Sequence, residues 1–221
     1  MTGRVQKFSA EQYTQIVSEV RARVLSAEVL ANEQNLVFVE STALQIRKIL
    51  ELIAYLSVLV NADKLNHKER VEYRAARIID LLDEKTTLHY PFPSRMIPPQ
   101  TPDESPLLIP LGYKDALSQD EFKKTYNACG KVLHAQHPLK ERIDLDEVFQ
   151  WHKTTLEKLK GLLERHTIGI KNAADMYTFL HVEIDFSGNE NAKASTIREY
   201  NTRIFSEHQL LKMFRAEQVG S

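Results

Sequence analysis

The residues with the clearest chemical promise lie between positions 123 and 134. Asn127, Lys131 and His134 are spaced four and three apart, which places them on one face of a helix. Lys123 and Lys124 stand one turn earlier. An imidazole exchanges protons near neutral pH, and lysines beside it attract phosphate. The row therefore suits phosphate binding or phosphodiester cleavage, with His134 as acid or base, Lys131 and Asn127 at the phosphate, and Lys123, Lys124 and Lys131 along a nucleic acid. A plain solvated helix face with a histidine near its C-terminus fits the same residues. From Lys123 to Lys171 the chain carries ten Lys or Arg against six Asp or Glu, a local excess that the overall charge of -1 conceals.

Other centres are poorly supplied. His134 and His137 form a bare His-x-x-His with no third ligand and no glutamate placed for zinc chemistry, so no metal site and no cofactor is expected. The phosphate loop, the dinucleotide glycine motif, the serine nucleophile elbow and Ser-x-x-Lys are all missing from the sequence. Cys129 falls on the apolar side of its helix, where a thiol is inert. His152 and His166 fall on an apolar row and read as core histidines. Arg47, with Glu51 one turn on, reads as a structural ion pair.

The elements that must position these groups follow from periodicity. Ser9 with Gln12 opens a helix whose apolar row is Tyr13, Val17, Val20, Val24, Ala27 and Ala31. Thr42, Ile46, Ile49, Ile53, Leu56 and Val60 mark a second, widened by Leu50, Leu52 and Leu59 into a stripe that predicts a central helix. Asn66 with Glu69 opens a third, with Val71, Ala75, Ile78 and Leu82 inward. Ser118 with Glu121 opens a fourth, with Phe122, Tyr126, Cys129 and Leu133 inward, ending near His137-Pro138. Asp144 with Glu147 opens a fifth, whose row runs from Leu145 to His166.

Seven of the eight prolines fall between Pro91 and Pro110, which forbids helix and predicts an extended connection over 90–117 with at most short strands. Strict alternation from Tyr177 to Phe186, a turn at 187–191 and a return over 194–200 predict a hairpin, and Ser206 with Gln209 a short closing helix. The expected fold is mainly α: a bundle of about five helices over 1–170, with a small β-hairpin and short helix over 171–221. The longest apolar run, Ile49 to Val60, contains Glu51 and falls short of the roughly 20 residues a bilayer needs. One cysteine and no secretory segment predict a cytoplasmic protein.

The run Tyr126-Asn-Ala-Cys-Gly-Lys-Val-Leu-His134 resembles the histidine segment of HEPN-type helical domains, and the apolar helix around Gln45-Ile-Arg-Lys-Ile-Leu-Glu-Leu-Ile is also typical of them. Active members place an arginine a few residues ahead of the histidine and cut RNA without metal, as dimers. His134 matches that histidine, but Asn127, Ala128 and Cys129 stand where the arginine would be. The resemblance therefore implies a binding or regulatory module of a prokaryotic defence or toxin-type system, a homodimer with an RNA or protein partner. A metal-independent endoribonuclease using His134 is the alternative. A scaffold that pairs a partner strand with the hairpin edge is a third reading.

Overall fold

The computed structural model describes residues 9–97, 99, 101, 106–135, 139, 143–171, 177–188 and 194–201. Its first helix, α1 (Ala10–Leu30), starts at Ser9, whose side chain accepts the Gln12 amide at 3.3 Å. Asn35 caps α2 (Leu36–Val60) in the same way through the Phe38 amide. Each cap satisfies a donor that the first helical turn leaves unpaired. The expected rows of both helices are buried, and α2 packs against α1, three later helices and one strand of the sheet. Its apolar stripe is wide because it has several neighbours at once.

The expected third helix is two. A 3-10 turn (Ala62–Lys64) leads to α3 (His67–Arg70), opened by the Asn66–Glu69 capping box, and the chain then straightens before α4 (Ala75–Asp83). Val71 was expected inward but caps α3 and is 68% exposed. The break has a local cause: the Glu72 carboxylate accepts the amides of Tyr73 and Arg74 at 3.0 Å, offering the backbone an alternative to helix. Ser118 and Glu121 form the expected capping box of α5 (Gln119–Leu133), and Asp144 caps α6 (Leu145–Leu163).

A helical bundle with one small hairpin is not what forms. The fold is mixed α and β, with a five-stranded antiparallel sheet among the described residues. In the proline-rich stretch, β1 (Phe92–Ile97) and β2 (Leu107–Pro110) pair as a hairpin. β3 (Arg165–Lys171) follows α6 almost directly, and β4 (Tyr177–Ile184) and β5 (Ser195–Asn201) form the expected hairpin. The order is β2-β1-β3-β4-β5, with Phe92 opposite Thr167, Thr167 opposite His181 and His181 opposite Arg198.

Two features hide the sheet in the sequence. The apolar row of α6 can be continued on paper to His166, although the helix stops at Leu163 and His166 belongs to β3. Proline argued against strands, but it is tolerated where little ladder pairing is required, and β1 meets β3 only at Phe92 and Pro93.

One face of the sheet sends Ile168, Leu180 and Val182 into the helical core, while Phe92 and Phe179 join Leu88 in a second cluster. The proline-rich stretch is anchored at its ends: Tyr90 is buried and donates its hydroxyl to the Leu117 carbonyl at 2.9 Å, whereas Leu107 is exposed. The closing helix expected after residue 206 lies outside the described residues. No described helix is long and apolar enough to cross a membrane.

Candidate functional site

α5 is amphipathic, and its two sides have different fates. Phe122 and Cys129 are fully buried, and burial pushes the Cys129 thiol up to about 12. The thiol is thus a core group with no nucleophilic role at neutral pH. The opposite side carries Asn127, Lys131 and His134, all exposed. His134 ends the helix as its C-cap, in extended backbone conformation.

These three residues line an open groove of ≈ 490 Å³ between α5, α4 and α2. Its other lining residues are Arg47 from α2, Arg74 at the N-cap of α4, Ala76, Arg77 and Asp80 from α4, and Tyr126 and Gly130 from α5. Four basic side chains thus line the groove with one carboxylate, and the imidazole of His134 joins them from the C-terminus of α5. The three arginines are separated in sequence from the lysine and histidine, and helix packing brings them together.

Arg47 is held on three sides. Its Nη2 donates to the Tyr126 hydroxyl at 2.7 Å, its Nε lies 3.4 Å from the Glu51 carboxylate, and its Cζ stands 4.1 Å over the Tyr126 ring. A guanidinium stacked on an aromatic face and bonded at its edges is held in one orientation. The ion pair with Glu51 read from the sequence is present, and the same side chain also faces the groove. Burial raises the pKa of the Tyr126 hydroxyl, with Arg47 opposing, so it stays a neutral partner.

Arg74 makes a forked pair with Glu72 at 3.0 and 3.1 Å, and these bonds hold the Glu72 carboxyl at about 2. Arg77 and Lys131 make no ion pair among the described residues and are the open charges of the groove.

The remaining candidates are placed less favourably. Lys123 is paired with Asp80 at 2.5 Å, and that pair closes one flank of the groove. Lys124 is exposed on α5 but does not line the groove. His137 lies outside the described residues. His152 and His166 are buried, and desolvation lowers both to about 4. Both are core histidines, His152 on the apolar row of α6 and His166 on β3 beyond the end of that helix. Among the described residues no group of three or more His, Cys, Asp or Glu could hold a metal ion.

A second polar cluster lies on the sheet. Ser94 Oγ is 2.7 Å from Thr167 Oγ1, which is 3.0 Å from His181 Nδ1, and His181 Nε2 stands 3.7 Å from Glu183. Hydroxyl, imidazole and carboxylate follow one another as in a nucleophilic relay. Ser94, Thr167 and His181 are nevertheless buried, which denies a substrate access to the hydroxyls. The row stitches β1, β3 and β4 together.

Arg74, Arg77 and Asp80 are not among the residues that the sequence singles out, because the strongest pattern in that segment is the apolar row of α4. Arg77 and Asp80 are three apart on the polar side of α4, a spacing as legible as the lysine row, and Arg74 precedes them as the N-cap.

No family model, no curated protein and no solved structure matches the chain.

Proposed function

We propose that the groove between α2, α4 and α5 binds a phosphate-bearing ligand, with single-stranded RNA as the favoured substrate class. One observation carries this reading: Arg47, Arg77, Lys131 and His134 converge on a single open groove from three helices. A planar guanidinium matches phosphate geometry, and neighbouring cations add attraction that salt screens. The arginine that the HEPN resemblance asks for does not stand a few residues ahead of His134 on α5, but Arg47 and Arg77 bring the same chemistry to the groove from other helices. On this reading the chain is a HEPN-like binding or regulatory module, and the defence setting and the homodimer come from the resemblance alone.

Binding is tested by fluorescence anisotropy of a labelled single-stranded 12-mer RNA across 50–200 mM salt. Arg77→Ala is expected to weaken binding about fivefold and to lower the salt slope by about one. Affinity that is insensitive to both salt and Arg77→Ala would sink the reading. Sedimentation at increasing concentration tests the dimer, and a strict monomer contradicts it.

A second reading is favoured by the place of His134. An imidazole in the same groove as the phosphate-holding cations takes the proton of the attacking ribose 2′-hydroxyl and returns it to the departing 5′-oxygen, so that the P–O5′ bond breaks and a 2′,3′-cyclic phosphate remains. It requires RNA cleavage in chelator that stops in a folded His134→Ala variant. Undiminished cleavage by that variant excludes it.

A further inference from the structure

Gly130 stands inside α5, a position where alanine would favour the helix by about 1 kcal/mol. Backbone conformation does not demand glycine there. The glycines with positive φ among the described residues are Gly112 and Gly188. Nor does close approach of a neighbouring backbone demand it. Beyond its own chain neighbours and helix backbone, a Cβ at position 130 would meet one atom within 4 Å, the Arg47 Nη1, at 3.1 Å.

That atom belongs to the guanidinium already held on its other two nitrogens. Nε faces Glu51 and Nη2 bonds Tyr126, which leaves Nη1 over Gly130, in the lining of the groove. The Arg47 side chain is 29% exposed, so it is partly open to a ligand.

We infer that Gly130 is a positioning residue, whose missing side chain leaves the slot through which Arg47 presents Nη1 to a phosphate in the groove. The inference rests on the phosphate-binding reading above. A methyl group would displace Nη1 by a few tenths of an ångström. A longer side chain would fill the slot and turn the arginine away. The glycine acts only through Arg47 and touches no ligand itself.

The test uses the labelled 12-mer RNA with the full chain. Gly130→Leu is expected to weaken binding about fivefold, as Arg47→Ala does, and to lower the salt slope by about one. The double variant Gly130→Leu/Arg47→Ala should bind no worse than Arg47→Ala alone, because both changes remove the same contact. Gly130→Ala should melt at or above the temperature of the parent and still bind more weakly, a combination that simple loss of packing does not produce. It also serves if the leucine variant fails to fold.

Parental affinity in Gly130→Ala and in any folded Gly130→Leu, with Arg47→Ala and Arg77→Ala both weakened, overturns the positioning role and leaves the phosphate reading standing. Additive losses in the double variant overturn it as well. If neither arginine variant changes binding, the phosphate reading falls and takes the inference with it.

Discussion

Two regions of this chain each place a glycine inside a helix, and they do so for opposite reasons. At Gly161 in α6, a Cβ would stand 2.0 Å from the Asp115 carbonyl oxygen and 3.0 Å from its carbon. The segment ahead of α5 lies flat on α6 there, and the Leu117 amide donates to the Lys158 carbonyl at 3.0 Å. At Gly130 in α5 the neighbour is the tip of one flexible side chain. Backbone cannot move aside without parting two elements, whereas an arginine can. The α6 seam and its adjoining sheet are therefore stability regions, and the α5 groove is a region where stability and ligand contact can be changed separately.

Acid should affect the seam most. His152 and His166 are both lowered to about 4 by burial, against about 6.5 in an unfolded chain. The folded state then binds fewer protons than the unfolded state below pH 6.5. Their contribution is intact above that pH and is lost as pH falls towards 4, on the order of 3 kcal/mol for each. His89 and His181 are lowered by burial too and act in the same direction. Thermal melts should show a steep fall in Tm between pH 6.5 and 4, and a level Tm over that range would contradict the account.

Gly161→Ala comes next. Overpacking against a fixed carbonyl should cost about 3 kcal/mol, read as a Tm lower by roughly 10 °C. An unchanged Tm would mean that the seam gives way as easily as the groove does.

Tyr126→Phe probes the groove. Arg47 loses its partner at Nη2 but keeps the aromatic face, so stability should fall by about 1 kcal/mol in urea unfolding. RNA binding should weaken through looser placement of Arg47. Full affinity in that variant would show that the hydroxyl does not orient the guanidinium.

Lys124→Ala should do least. The residue is exposed outside the groove, and its removal should change RNA affinity less than twofold. A larger loss would extend the binding surface along α5 and sharpen the contrast with the seam.

Much of the helical layer was legible because its signals are local. Caps at Ser9, Ser118 and Asp144, and apolar rows at spacings of three and four, report on chain within a few turns. Local signals also mislead where an element ends. The α6 row continues on paper into His166, and the carboxylate of Glu72, which breaks the third helix, looks in sequence like any surface glutamate. Of the groove, Asn127, Lys131 and His134 could be read as one face because they lie on one helix. Nothing in the spacing of Lys123 from Lys131 tells that the first is occupied by Asp80.

By itself, the sequence determined which segments coil, where most helices begin, and that Cys129, His152 and His166 would be core rather than chemistry. Helical geometry and desolvation act at the scale of a few residues, so composition and period suffice for them. Tertiary structure alone decided that proline-rich chain and a run mistaken for helix would join one sheet. It also decided that Arg47, Arg74 and Arg77 would meet His134. Strand pairing and convergence of charge link residues tens of positions apart, and only packing sets those distances.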